Sequence, residues 1–250
     1  MVSVTKRISK IQQPRGGYLK KKDFEVLILD DKNRLNSNEN IHPSLVGMAV
    51  DYLTRYMSGL ASDDVFRVAR SGSFNVNKGE LFIELISDIR GLDDISIINT
   101  CKIAGFDVAY RVGAVAYRPV ELIEPNEETI ANIRIMVKRG LRFFEEYGPI
   151  TLNGFSFEGG YTSTITTGDG DFLTKDTLWD FKVSINDPLP KHTLQLLVYY
   201  LLGLRSKHRE FSQITRLGIF NPRLNKAYVL CIDQISNKTI EEIETVIIGY

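Results

Sequence analysis

Apolar residues in the first half of the chain recur with the spacing of an α-helix. They follow Pro43 at intervals of three and four positions, which predicts a helix that begins at Pro43 and stops at Gly59. The same spacing continues further along, with Gly91 and Gly105 as breaks. Helices are predicted in the ranges 43–59, 62–74, 78–120 and 125–147, the third range holding one helix or two.

The pattern changes after Pro149, where Thr, Phe, Tyr and Gly are frequent and apolar positions alternate with polar ones. Alternation with period two is typical of β-strands. Strands are predicted at 155–164, 169–174, 177–184, 214–220 and 226–231, helices at 191–204 and 236–248, and an earlier strand at 24–29. This order indicates a layered α/β or α+β domain with a mostly helical N-terminal half.

A length of 250 residues suits one large domain, and we expect a single domain over residues 1–250. Residues 1–22 are polar and basic, and they are predicted to form a flexible arm. Residues 42–150 are expected to form the mostly helical part. Residues 151–250 are expected to form the core that carries the functional motifs.

The composition narrows the class of protein only in part. Lysine plus arginine equals aspartate plus glutamate at 31 each, so the net charge gives no support to a nucleic-acid partner. No apolar run reaches the length of a membrane span, and the first residues lack the apolar stretch of a signal peptide. Cys101 and Cys231 form no metal-binding pair. We therefore expect a cytoplasmic protein without a membrane partner.

Three charged residues stand on consecutive predicted strands. Asp171 is at the start of one strand, and Asp180 and Lys182 lie two apart on the next, so their side chains point to the same face. A tight hairpin could place Asp171 beside them. Two carboxylates and a backbone carbonyl suit a hard cation such as Mg²⁺, and a lysine there can hold the attacking water or the phosphate charge. These groups indicate metal-assisted hydrolysis of a phosphodiester.

Acid-x-Lys pairs occur in this sequence as often as chance predicts, so only their surroundings can distinguish them. Asp30-Asp31-Lys32 runs into an Asn-rich turn, where a lysine is solvated. Asp180-Phe181-Lys182 lies within a strand. Burying two charges on one face of a central strand is costly, which favours the second pair as the functional one. A surface ion pair on an edge strand remains the alternative.

Gln195 and Tyr199 lie one turn apart on the predicted apolar helix and therefore share a face. Together the motifs are an aspartate after a glycine, then Asp-x-Lys, then Gln-x-x-x-Tyr on the next helix. This series resembles the motifs of the RecB-like exonuclease branch of the PD-(D/E)xK nucleases. The resemblance covers roughly residues 154–231.

The resemblance implies a restriction-endonuclease-like core, with a central mixed sheet flanked by helices. It implies that Asp171 and Asp180 bind Mg²⁺ or Mn²⁺ and that Lys182 is catalytic, while Gln195 and Tyr199 support the site or the DNA strand. That branch tends to carry a further ligand on an early helix after a glycine, and Asp51 fits this spacing as a third metal ligand. The implied partner is nucleic acid, with DNA preferred; protein partners stay unknown.

Other interpretations of the same residues stay open. A non-catalytic nucleic-acid-binding or assembly module could retain the nuclease fold, and the site could hydrolyse another phosphoester. Asp169, Asp171 and Asp176 could form a calcium loop, although Leu173 and Thr174 stand where such a loop needs an oxygen ligand and a glycine. The sequence does not distinguish endonuclease from exonuclease activity, or DNA from RNA.

Two histidines lie near the predicted apolar helix. His192 is close to its start, where a capping or surface role is expected. His208 lies in a basic run after its end, which indicates either a solvated helix end or a phosphate contact.

Overall fold

The computed structural model describes residues 2–250, which form two compact units. One unit, here called the sheet unit, combines the segment up to Leu29 with Phe144–Tyr250. The other, here called the helical unit, is Asp30–Phe143. This differs from the single domain expected over residues 1–250. Hydrophobic periodicity shows which face of a helix is buried but not what covers it, so it cannot separate two cores in one chain.

A six-stranded mixed sheet forms the framework of the sheet unit. The strands are β1 Glu25–Ile28, β2 Leu152–Ser156, β3 Asp169–Leu173, β4 Thr177–Phe181, β5 Arg216–Asn221 and β6 Lys226–Cys231. Their order in the sheet is β1-β6-β5-β4-β3-β2. Only β4 and β5 pair in parallel, while every other neighbouring pair is antiparallel. The predicted α/β class with a mixed sheet is therefore confirmed.

The helices divide between the two units. They are α1 Val4–Ile8, α2 Pro43–Met57, α3 Ser62–Val65, α4 Arg67–Asn75, α5 Gly79–Ser87, α6 Asp94–Arg111, α7 Glu127–Tyr147, α8 Pro190–Leu204 and α9 Asn237–Glu242. A π-helical segment, Ile243–Ile248, continues α9. Short 3₁₀ turns lie at Lys21–Asp23, Ala114–Ala116, Val120–Leu122, Arg209–Gln213 and Ile232–Gln234. Within residues 2–250, no helix has both the length and the apolar composition that a bilayer crossing requires.

Helix α8 connects the parallel strands β4 and β5 and lies at the centre of the core of the sheet unit. All of its leucines except Leu204 are buried, together with apolar residues of α1, β3, β4, β5 and β6. A helix that is covered on most of its faces is apolar nearly all round, and for this reason the faces of α8 differ little in hydrophobicity. The crossover also sets the start of α8 near the carboxyl end of β4, because a parallel connection must return along the sheet.

Residues 1–22, expected to form a flexible arm, pack onto the sheet unit instead. Val4, Ile8 and Leu19 are buried in its core, and Ser3 caps α1 by accepting a hydrogen bond from the Lys6 amide. The segment then leads into β1, which pairs with β6. Its apolar residues are sparse among lysines and arginines, so the buried face was not visible as a periodic pattern.

Two other expectations need correction. Gly105, predicted to break a helix, lies inside α6, where an added Cβ would come within 2.7 Å of Ile123. The glycine therefore permits close packing rather than ending the helix. The strand predicted at 155–164 ends at Ser156, because the chain turns at Gly159, whose φ of +95° favours glycine.

Candidate functional site

Strand β4 presents Asp180 and Lys182 on the face of the sheet that α8 covers. Leu178 belongs to the core around α8, and Asp180 and Lys182 follow it at steps of two, so all three side chains share that face. Asp180 is only 2% exposed. The Lys182 ammonium donates a hydrogen bond to Asp180 Oδ1 at 2.8 Å, while its own side chain stays partly open to solvent. A buried carboxylate thus has its charge partner at the end of a central strand.

Asp171 reaches the same face from the neighbouring strand β3. The antiparallel register pairs Leu173 with Leu178 and Phe172 with Trp179, and Asp171 and Asp180 are the next residues along the two strands. By strand alternation, both side chains belong to the face that Leu173 and Leu178 share. Asp171 Oδ2 accepts a hydrogen bond from the Phe181 amide at 2.7 Å, which holds this carboxylate against the end of β4.

The second oxygen of the Asp180 carboxylate is the most unusual atom of the site. Asp180 Oδ2 is buried and accepts no hydrogen bond. Buried carboxylate oxygens are nearly always paired, because desolvating a negative charge without compensation is costly. Such an atom fits a position where a cation is the missing partner.

Helix α8 contributes two linked polar side chains. Gln195 Nε2 donates to the Tyr199 hydroxyl at 2.7 Å, and both residues are buried. Burial raises the pKa of Tyr199 well above its usual range, and the negative charges of Asp180 and Asp171 raise it further. The Tyr199 hydroxyl therefore stays protonated, and the negative charges of both carboxylates act on it. Gln195 and Tyr199 lie one turn apart and share a face of α8.

His192, which the sequence analysis set aside as capping or surface, also borders the site. It precedes Gln195 by three positions and shares its face of α8. Its Nδ1 accepts the Leu189 amide at 3.2 Å, so it does cap the helix. The pKa of His192 is lowered to about 4, chiefly by burial and then by the charge of Lys182, while the charge of Asp180 acts in the opposite direction. The His192 ring is therefore neutral. Its spacing of three positions from Gln195 is the sequence feature that indicates a shared face of α8.

The loop that follows Lys182 is held by two further side chains. Asn221, buried at the end of β5, donates from Nδ2 to the Ser184 carbonyl at 2.8 Å. Asp187 accepts hydrogen bonds from Lys21 and from the Tyr228 hydroxyl. The hydrogen bond from Lys21, followed by that from Tyr228, lowers the pKa of Asp187. These contacts fix the backbone on the far side of Lys182.

The remaining predicted residues have other partners. Asp51 lies on α2 in the helical unit, where both of its carboxylate oxygens accept hydrogen bonds from Arg55. Its role as a third ligand stays a prediction. In the segment Asp30-Asp31-Lys32, the middle residue Asp31 accepts two hydrogen bonds from Arg139, at 2.8 and 3.0 Å. The hydrogen bond from Arg139 lowers the pKa of Asp31 far below its usual range, which gives this segment a structural role.

The sequence left alternative roles open for Asp176 and His208, and the structure shows the contacts of both residues. Asp176 forms an ion pair with Arg216 instead of facing an empty cation site. The His208 ring contacts the Ser156 carbonyl at 3.0 Å and packs edge-on against Phe155. Across residues 2–250, no group of three or more His, Cys, Asp or Glu is arranged to hold a metal ion.

The donor set nevertheless fits one class of metal ion. Mg²⁺ commonly binds through one or two carboxylates and keeps water and substrate oxygens as its other ligands. Asp171 and Asp180 supply two such carboxylates, one with a buried free oxygen. Comparisons with known proteins add no constraint, since no family model, curated protein or solved structure matches this chain.

Proposed function

We propose that this chain is a metal-dependent nuclease that hydrolyses phosphodiester bonds, with DNA as the preferred substrate. The observation that carries the proposal is the Asp180 carboxylate, which is buried on a central strand, paired with Lys182 through one oxygen and unpartnered at the other. Retaining a buried carboxylate with one unpaired oxygen purely for stability is costly.

Asp171 and Asp180 are the proposed ligands of Mg²⁺ or Mn²⁺. A divalent cation held by them would stabilise the negative charge that develops on the phosphate oxygens during hydrolysis. The hydrogen bond from the Phe181 amide fixes the orientation of the Asp171 carboxylate before any ligand arrives. The site is therefore preorganised on the side of β3.

Lys182 is the proposed catalytic cation. Its ammonium is close enough to Asp180 to form an ion pair and is exposed enough to reach a phosphate at the mouth of the site. In the reaction it would donate hydrogen bonds to the attacking water or to a non-bridging phosphate oxygen. The water oxygen forms the new bond to phosphorus, and the ester bond to the leaving nucleotide breaks.

The α8 residues would position these groups. Gln195 holds the Tyr199 hydroxyl, and Tyr199 lies within the field of both carboxylates. Because the Nδ1 atom of His192 accepts the Leu189 amide, its neutral ring carries the proton on Nε2 and offers a donor to a phosphate oxygen. Substituting any of the three should affect how the substrate is oriented.

The proposal is tested by cleavage of labelled linear, circular and single-stranded DNA by the full chain. We expect cleavage with Mg²⁺ or Mn²⁺ and none with EDTA. The circular substrate separates endonuclease from exonuclease activity. Cleavage that persists in EDTA, or no cleavage of DNA or RNA by the folded protein with either metal, would contradict the proposal.

A non-catalytic nucleic-acid-binding module is the second candidate. The observation in its favour is that Lys182 already pairs with Asp180, while the part of the chain that the structure describes holds no group of three or more His, Cys, Asp or Glu arranged to hold a metal ion. Titration calorimetry with Mn²⁺ separates the two candidates. The nuclease should bind Mn²⁺ and lose that binding on Asp180→Asn, whereas the binding module should show no Mn²⁺ binding in the wild type or in the variant.

A further inference from the structure

Basic residues are unevenly distributed along this electrically neutral chain. The first 22 residues contain no aspartate or glutamate, and their basic residues are Lys6, Arg7, Lys10, Arg15, Lys20, Lys21 and Lys22. The remainder of the chain therefore carries an excess of acid. The segment packs into the core around α8 and leads into the sheet, so all seven basic residues belong to the sheet unit.

Part of this segment lines an open groove of about 710 Å³, and residues of α9 form its other wall. Arg15, Lys20 and Lys238 line the groove and are exposed. Among residues 2–250, none of these three cations has an ion-pair partner. Glu242 is the single carboxylate among the lining residues, and it accepts a hydrogen bond from the Tyr18 hydroxyl at 2.8 Å. The groove thus presents unpaired positive charge.

The remaining lining groups are suited to nucleotides. Tyr18 is half-buried and is held at its hydroxyl, so its orientation in the groove is fixed. Gln13 Oε1 is buried without a hydrogen-bond donor, which leaves an acceptor for a ligand. Cations that track phosphates beside an aromatic ring on which bases stack are the features of grooves that bind single strands.

The groove also adjoins the helix that carries the candidate site. Gly17 lies so close to α8 that an added Cβ would come within 2.9 Å of Pro190 Cβ. Thr193 donates a hydrogen bond to the Leu19 carbonyl at 3.0 Å. The segment that lines the groove is therefore fixed to the first turn of α8, the turn that contains His192.

We propose that this groove binds a single strand of nucleic acid, with Arg15, Lys20 and Lys238 contacting phosphates and Tyr18 stacking on a base. The role of the groove in delivering a strand for cleavage rests on the proposed nuclease function. Binding itself requires neither metal nor chemistry, so it can be tested separately.

The test is fluorescence anisotropy of a labelled oligothymidylate with the full chain in EDTA, over a range of salt concentrations. The groove variant combines Arg15→Gln, Lys20→Gln and Lys238→Gln. A matched control variant combines Arg67→Gln, Arg118→Gln and Lys138→Gln, which removes the same charge from exposed positions of the helical unit. Thermal unfolding checks that each variant is folded.

We expect the wild type to bind and the groove variant to bind more weakly. Each lost phosphate contact lowers the dependence of log Kd on log salt by about 0.7 for a single strand, so three contacts reduce the slope by about 2. The control variant should keep the wild-type slope. Tyr18→Ala should weaken binding roughly 5- to 100-fold, while Tyr18→Phe, which keeps the ring, should retain it.

Three results would overturn the inference: no binding by the wild type at low salt, an unchanged slope in the groove variant, or an equal loss in the control variant. Tighter binding of duplex than of single strand would also overturn it. Hydrolysis of bis(p-nitrophenyl) phosphate by the wild type with Mn²⁺, a substrate too small to span the groove, tests the nuclease function independently. Each proposal can therefore fail without the other.

Discussion

At the scale of single residues, the contrast between the two Asp180 oxygens is the feature on which the functional proposal depends. Oδ1 accepts a hydrogen bond from Lys182, while Oδ2 has no donor although it is buried. Removing a carboxylate from water costs several kcal/mol, and one ion pair compensates for that only in part. A bound cation would satisfy the second oxygen. Asp180 and Lys182 should therefore differ in their effects on metal binding and catalysis.

Lys182→Ala should lower kcat by about 100-fold or more, because the cation beside the phosphate is lost. The affinity for Mn²⁺ should not fall, since an ammonium is not a ligand and its removal relieves repulsion of the metal. Cleavage rates and calorimetric titration measure the two effects separately. A parallel loss of metal affinity and turnover would show that Lys182 acts by organising the carboxylates instead.

At the scale of secondary-structure elements, the local sequence pattern predicted which side chains share a face of one strand or one helix. The common face of Asp180 and Lys182 follows from the strand period, and that of Gln195 and Tyr199 follows from the helix period. The approach of His192 to the site depends on how α8 crosses from β4 to β5. That crossover is a property of the folded sheet, so the spacing of His192 from Gln195 could indicate a shared helix face but not which part of the sheet that face approaches.

Trp179 of β4 points to the face of the sheet opposite Asp180, where it packs against β5. Gly218 pairs with Trp179, and a Cβ added at Gly218 would come within 2.2 Å of the indole ring. Gly218→Ala should therefore destabilise the protein by roughly 1–3 kcal/mol, measured by urea unfolding. Gly91→Ala is the matched control, because nothing lies within 4 Å of its added Cβ. Equal stability of the two variants would contradict the packing described for β4.

The ion pair between Asp31 and Arg139 links a loop to α7 within the helical unit. Both side chains are largely buried, and Asp31→Ala should cost roughly 1–3 kcal/mol near neutral pH. The hydrogen bond from Arg139 lowers the folded-state pKa of Asp31, so its stabilisation is present above the unfolded pKa of about 4 and declines as the pH falls. Urea unfolding between about pH 6 and pH 3 should show the stability difference between wild type and variant shrinking. A constant difference would assign the effect to packing alone.

At the scale of the whole molecule, the division into two units and the position of the basic segment were not visible in the sequence. Strand β1 joins the sheet by pairing with β6, about 200 residues later in the chain, and α1 packs on α8. Contacts at such separations leave no local pattern. The net charge of zero likewise concealed the separation of charge that the folded N-terminal segment produces. Composition alone therefore did not indicate the groove on which the proposed binding of a single strand depends.

The most direct test of the proposed nuclease is the metal-dependent cleavage rate of two aspartate variants, each shown to be folded. Asp180→Asn keeps the size of the buried side chain but removes the charge that would hold the metal. Asp30→Asn makes the same change in the other acid-x-Lys pair, where the Asp30 carboxylate accepts a local hydrogen bond from the Lys32 amide. We predict that Asp180→Asn loses about 100-fold or more of the Mg²⁺-dependent rate and that Asp30→Asn keeps the wild-type rate. Equal rates in the wild type and Asp180→Asn, on a substrate that is demonstrably cut, would contradict the proposal.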